Sequence, residues 1–285
     1  MNRRTQSEAH RKTLIFVHIP KTAGSTLEQI LIRQYRAAEI YPFIEVEDYR
    51  RVTKLPPAEK TRYKLFQGHM PYGLHHYLAQ PAVYVTLLRN PVQVALSSYF
   101  YFELGYRRDI LHQDVTGIVP TVADMQQSKM RMMFDNLQTR HLSGLTGVAF
   151  GECSAAMLDA AKANLEREFA VGLVERFDES IVSLSKIFRW RAPFYVKTNV
   201  SRTRVPREAI AADVIEWLTA QNRFDIQLYQ FAESLFDAQL ENLDVSIDQA
   251  VMTYRSGNRL LGSLFDTMSR AKRKASQVKF IGEFV

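Results

Sequence analysis

The stretch Pro20-Lys21-Thr22-Ala23-Gly24-Ser25-Thr26 places a mobile cation, a glycine and neighbouring hydroxyls between an apolar run and a helical pattern. Those residue types in that order suit the binding of an anion, most naturally a phosphate. A strand that ends in a tight turn and feeds a helix directs backbone N–H groups at a point beyond the strand. The helix N-terminus adds partial positive charge there. Gly24 lets the backbone come close to a ligand, Ser25 and Thr26 offer hydroxyl donors, and Lys21 supplies a full charge. The plainer alternative is a βα turn whose serine or threonine caps the helix, but that does not account for the lysine and the glycine.

The order of these residues argues against ATP. In the loop G-x-x-x-x-G-K-[ST] the lysine directly follows the last glycine, whereas Lys21 precedes Gly24 by three residues. No apolar run elsewhere ends in an aspartate that would help to hold magnesium. The run Val83-Tyr-Val-Thr-Leu-Leu88 ends instead in Arg89, at the end of a strand where open α/β sheets bind ligands. Ser97, eight residues on, is placed to donate to the same anion. Two separate anion sites suit a nucleotide that carries phosphates at two positions.

Transfer to a hydroxyl needs a base, and histidine is the usual one near neutral pH. Of the seven histidines, His69 in Leu65-Phe-Gln-Gly-His-Met-Pro-Tyr-Gly73 is the best candidate. It follows a short strand, and Gly68 beside it permits close approach. A histidine satisfied within a loop is the alternative. His10 is in a polar tail, His18 adjoins the phosphate-type loop, His75 and His76 are adjacent, and His112 and His141 lie in no motif.

These residues require a scaffold, and the chain alternates strand and helix patterns. Leu14 to His18, Tyr63 to Phe66, Val83 to Leu88 and Phe169 to Val174 are short apolar runs of the kind found in buried parallel strands. Leu27, Ile30, Leu31 and Tyr35 recur on one helical face, as do Val92, Ala95, Leu96 and Tyr99 behind Pro91. Helical faces follow at Leu158, Ala161 and Leu165 and at Ile181, Leu184 and Phe188, with further helices over 207–219 and 223–239. Residues 41–62 are mixed and contain proline, which predicts a loop or insertion. The alternation predicts one α/β domain with a mainly parallel sheet covered by helices.

The 285 residues, 46% hydrophobic and 24% charged, are those of a globular protein able to bury a full core. The single cysteine, Cys153, excludes an intrachain disulfide and fits a reducing compartment. No run approaches the roughly 18 apolar residues of a membrane helix, and the start does not resemble a secretory signal, so a cytoplasmic protein is expected. The net charge is +7, of which residues 1–13 carry +3 and residues 255–285 carry +5, leaving −1 for residues 14–254. A domain over 14–254 with basic ends is expected, with no nucleic-acid-binding face. The basic C-terminal segment leaves room for contact with a membrane surface.

The segments His18-Ile-Pro-Lys-Thr-Ala-Gly-Ser-Thr-Leu27 and Leu87-Leu-Arg-Asn-Pro-Val-Gln-Val-Ala-Leu-Ser-Ser-Tyr-Phe-Tyr-Phe102 resemble the two nucleotide-binding signatures of sulfotransferases that use 3′-phosphoadenosine 5′-phosphosulfate (PAPS). The likeness is greatest to the carbohydrate group that includes heparan sulfate 2-O-sulfotransferase, and it extends over residues 14 to 240. It implies a P-loop-NTPase-like three-layer α/β fold with a mainly parallel central sheet and a helix-rich C-terminal half. By this resemblance Lys21, Thr22, Ala23, Gly24, Ser25 and Thr26 wrap the 5′-phosphosulfate, and Lys21 neutralises charge on the leaving oxygen. Arg89 and Ser97 hold the 3′-phosphate, Ser201 and Arg202 lie in a late loop over the nucleotide, and no metal is required. The group has a His-Gly-His at the point where this chain reads Gln67-Gly68-His69, so His69 matches the second histidine and Gln67 replaces the first.

The acceptor is less legible. Gln67 and Tyr72 flank the candidate base, Arg107 and Arg108 could meet an acidic saccharide, and Arg140 belongs to the polar run Asn136–His141. Tyr99-Phe-Tyr-Phe102 could stack on a sugar or pack in a core. A saccharide, a glycolipid or a small hydroxylated metabolite is the expected acceptor. A nucleotide kinase using ATP and magnesium, or a polyanion-binding protein without catalysis, are the competing readings.

Overall fold

The computed structural model describes residues 8–42, 44–45, 49–115, 117–196, 209–243 and 246–283. Four strands, β1 (Thr13–Val17), β2 (Leu65–Gly68), β3 (Ala82–Leu88) and β4 (Phe169–Leu173), form one sheet in the order β2-β1-β3-β4, every pair parallel. Helix α1 (Gly24–Gln34) follows β1 and α2 (Pro91–Ser98) follows β3; α3 (Leu137–Ser143) and α4 (Ala155–Glu168) lead into β4. Then come α5 (Phe177–Phe188), α6 (Ala212–Gln221), α7 (Arg223–Glu241) and α8 (Ile247–Glu283).

All five residues of β1 and of β4 are buried, as strands covered on both faces require. Leu14 and Phe16 face the layer of α1, α5 and α8, against Leu27, Leu31, Ile181 and Tyr254. Ile15 and Val17 point the other way, toward Leu158, Leu165, Leu228 and Phe236 of α4 and α7. This is the expected three-layer α/β arrangement. Because β2 and β3 lie on opposite sides of β1, the chain switches direction between β1 and β3. Loops leaving the C-terminal ends of two such strands diverge and open a crevice.

Two regions differ from the local pattern. Residues 41–62 hold two short helices, Tyr49–Lys54 and Pro57–Arg62, not a plain loop. Val52 is fully buried there, and the Lys60 ammonium donates to the carbonyls of Thr53 and Tyr77 at 2.8 and 3.0 Å. The charge-rich C-terminal segment continues a helix that already begins at Ile247. Val251, Tyr254 and Ser269 are buried on its inner face, and the Arg33 guanidinium donates to Phe265 O at 3.1 Å. Its inner residues follow helical spacing while Arg255, Arg259 and Arg270 are exposed. No described helix is long and apolar enough to cross a membrane.

Candidate functional site

The loop from β1 to α1 is tightly wound. Lys21 and Ala23 both take left-handed backbone conformations, with φ of 65° and 58°, each costing about 1–2 kcal/mol for a residue with a side chain. The Thr22 hydroxyl donates to Ile19 O at 2.8 Å and closes the turn. Ala23 occupies the position before α1 and offers no side-chain cap, and the first turn of α1 holds no acidic residue. The helix therefore begins with N–H groups that no side-chain cap or carboxylate of its own first turn occupies. A half-buried Lys21 and Ser25 stand beside them.

Gly24 is required by a neighbour rather than by its backbone angle. A β-carbon at this position would lie 1.9 Å from Cδ2 of His18. Gly24→Ala forces the ring or the loop to move, and the expected cost is about 1–3 kcal/mol, measurable as a lower urea midpoint at unchanged slope. A second close approach occurs at Gly68, where a β-carbon would meet Ile44 O at 2.0 Å. That carbonyl accepts from the backbone N–H of His69 at 2.8 Å, so Gly68 and Ile44 together fix the start of the His69 loop.

His69 is thereby brought to the first loop. Its Nδ1 lies 2.7 Å from the carbonyl oxygen of His18, and the two rings are 4.4 Å apart. A carbonyl oxygen only accepts, so Nδ1 carries a proton. His141 joins the group. Its Nδ1 donates to Leu137 O at 2.8 Å, and burial, with a further contribution from the charge of His69, pushes its pKa down to about 4. His141 is therefore neutral near pH 7 and electrostatically coupled to His69.

The second residue expected to hold an anion is tied to the first. Arg89 donates from Nη1 to the carbonyl oxygen of Lys21 at 3.0 Å. Burial, followed by the charge of Arg89, lowers the Lys21 pKa to about 8. Two neighbouring cations that disfavour one another form a site that an anion would relieve. The Lys21 ammonium also lies 3.8 Å from the centre of the Tyr101 ring. The backbone of Arg89 is clamped by the fully buried Gln138, which accepts from Arg89 N at 2.9 Å and donates to Arg89 O at 2.8 Å.

Gln138 is itself positioned by Asp225 of α7. That carboxylate accepts from the backbone N–H groups of Gln138 and Thr139 at 3.0 and 2.7 Å, capping α3, while burial pushes its pKa up to about 6. Asp225→Asn would turn an amide NH2 toward backbone donors. It is expected to destabilise the fold by about 1–3 kcal/mol, read from denaturant unfolding at pH 7.5.

The other residues expected near the site divide clearly. Ser97 is half-buried on α2, the helix that follows Arg89. Gln67 is buried in β2, and its Oε1 takes no hydrogen bond among the described residues. Tyr72 packs against Tyr84 and Phe169 and donates its backbone N–H to His141 O at 2.8 Å. The Arg107 guanidinium is engaged by Glu103 and Asp124 at 2.8 and 2.9 Å, and Arg108 pairs with the adjacent Asp109. Arg140 ties Asp135 to the carbonyls of Val148 and Ala149. Arg107 and Arg140 act as struts, while Arg108 holds only its exposed neighbour. Ser201 and Arg202 lie outside the described residues. Sequence reasoning missed Gln138 and His141, whose only signal was the density of polar residues over 136–141.

Comparison with known proteins adds an independent finding. The family model described as Galactose-3-O-sulfotransferase matches residues 3–280. The chain is 22% identical to heparan-sulfate 6-O-sulfotransferase 2 of Danio rerio, over 78% of this chain and 58% of that protein. It is 26% identical to galactose-3-O-sulfotransferase 2 of Sus scrofa, over 62% of this chain and 49% of that protein. To galactosylceramide sulfotransferase of Mus musculus it is 27% identical, over 81% and 58% respectively. The chain thus spans about half to two thirds of the length of the curated relatives it matches.

Proposed function

Because this chain belongs to the galactose-3-O-sulfotransferase family, we propose that it moves a sulfuryl group from PAPS to a hydroxyl of a saccharide or glycolipid. The observation that carries this reading is the hydrogen bond from Arg89 to the Lys21 carbonyl. It joins two cationic strand-end loops into one site, as a nucleotide with phosphates at both its 3′ and 5′ positions demands.

The donor supplies an activated sulfuryl group whose departure leaves negative charge on a phosphate oxygen. Within the chain, Lys21 and the open N–H groups of α1 stand ready to stabilise that charge, and Thr22 fixes the turn that aims them. Ser25 and Thr26 add hydroxyls in the first turn. Arg89, clamped by Gln138, and Ser97 on the following helix are the groups for the 3′-phosphate. Ser201 and Arg202 are proposed to close over the nucleotide. His69 serves as base, with Nδ1 held by the His18 carbonyl and Nε2 as the nitrogen that takes the acceptor proton. His141, kept neutral beside it, does not place a competing positive charge there.

In this arrangement the protein works by positioning and electrostatics for a direct in-line transfer. The relatives' names span heparan sulfate, galactose and galactosylceramide, so the acceptor is proposed as a sugar hydroxyl on a glycan or glycolipid. Thermal shift with three ligands tests the donor. Adenosine 3′,5′-bisphosphate is expected to stabilise the protein without magnesium, and ATP with magnesium is expected to do so less. Stabilisation by ATP–magnesium alone, or by heparin alone, would overturn the reading.

A further inference from the structure

Four aromatic residues in succession, Tyr99-Phe100-Tyr101-Phe102, cannot share one face of a helix, because successive side chains point about 100° apart. In the structure they form a π-helical turn, Tyr99–Glu103, directly after α2. Such turns insert one extra residue and re-aim the side chains around them. Tyr99 is fully buried, and Phe100 packs with the cluster around Phe134 and Leu218. Tyr101 goes the other way and is 61% exposed. Its hydroxyphenyl ring receives the Lys21 ammonium 3.8 Å from its centre, while Phe102 meets it edge-on at 4.9 Å.

With Lys21 over its ring and Phe102 at a right angle beside it, Tyr101 still keeps 61% of its surface exposed. An exposed tyrosine left bare has no packing role of its own, and a π-turn that displays it breaks the regular hydrogen-bonding of the helix. Lysine needs no such cover to stay in place, since its own backbone is held by Arg89. What a flat aromatic face with a polar rim binds well is a pyranose ring, through a patch of C–H groups on the face and hydroxyls at the edge.

We propose that Tyr101 is a two-sided platform, with Lys21 on its inner face and the acceptor pyranose stacked on its outer face. This rests on the sulfotransferase reading for the identity of the acceptor, and its test is independent of turnover. Saturation-transfer NMR would be recorded on the full chain with adenosine 3′,5′-bisphosphate present. The probes are four methyl pyranosides, of galactose, glucose, N-acetylglucosamine and glucuronate.

At least one is expected to receive saturation most strongly on the C–H groups of one ring face. Tyr101→Leu should weaken that binding at least tenfold, and Tyr101→Phe should restore most of it. Adenosine 3′,5′-bisphosphate affinity should stay within about threefold in both variants, which separates loss of the platform from loss of the fold. Binding of no pyranoside to the wild-type chain, or undiminished binding to Tyr101→Leu, would overturn the proposal. An equal loss of nucleotide affinity in Tyr101→Leu would also overturn it, since the ring would then serve the lysine alone. Failure of the wild-type chain to bind the bisphosphate at all would instead count against the sulfotransferase reading.

Discussion

Lys21→Ala is expected to lower turnover by about 10²–10³-fold, the usual loss on removing one group that stabilises developing charge. Affinity for adenosine 3′,5′-bisphosphate should fall only about tenfold, because Arg89, Ser97 and the helix N-terminus continue to hold the nucleotide. Equal losses in the two quantities would remove the case for a transition-state role. The same lysine predicts a pH dependence. Its pKa in the free protein is lowered to about 8 by burial and then by Arg89, and a bound anion favours the charged form, so the pKa is higher in the complex. Affinity is therefore level below pH about 8 and declines as the pH rises through the free-protein value. A tenfold contribution corresponds to a shift of about one unit, which confines the decline to roughly pH 8–9. Calorimetric titration of the bisphosphate across pH 7–10 should show that step in the wild type and none in Lys21→Ala.

His69→Asn is the second large effect. Removing a positioned general base usually costs 10²–10⁴-fold in rate, and a drop of that order in kcat is expected here. Asparagine is the informative replacement because its NH2 group can still donate to the His18 carbonyl, which the Nδ1 of His69 now contacts at 2.7 Å. Nucleotide affinity should remain within twofold, as His69 meets the loop at the His18 carbonyl. Single-turnover assays with radiolabelled donor separate the chemical step from product release. Turnover within threefold of the wild type would move the base role elsewhere, with His141 as the next residue to replace.

Much of the scaffold could be read from local pattern. The four buried runs became the four strands, since burial on both faces leaves an almost continuous apolar signature. The helices after the two loops were legible because their apolar residues repeat at helical spacing and Pro91 marks a start. The C-terminal segment was harder to read. Its charge suggested a tail, whereas its inner residues follow helical spacing from Ile247 onward and pack on α1 and α5.

By itself the sequence pointed to two candidate anion loops, the strand ends that carry them, and a histidine after a short strand. It could do so because each feature is local, held within a strand, its turn and the next helix. The tertiary structure alone decided how those parts meet. Arg89 reaches Lys21 across 68 positions, His69 reaches His18 across 51, and Gln138 clamps Arg89 across 49. It also turned Arg107 and Arg140 into struts and left Tyr101 displayed over the lysine. The periodicity of one segment does not encode which distant segment will lie beside it. That is fixed by parallel strand register, by helices packed on both faces of the sheet, and by buried polar groups such as Gln138 and Asp225 that must find their partners.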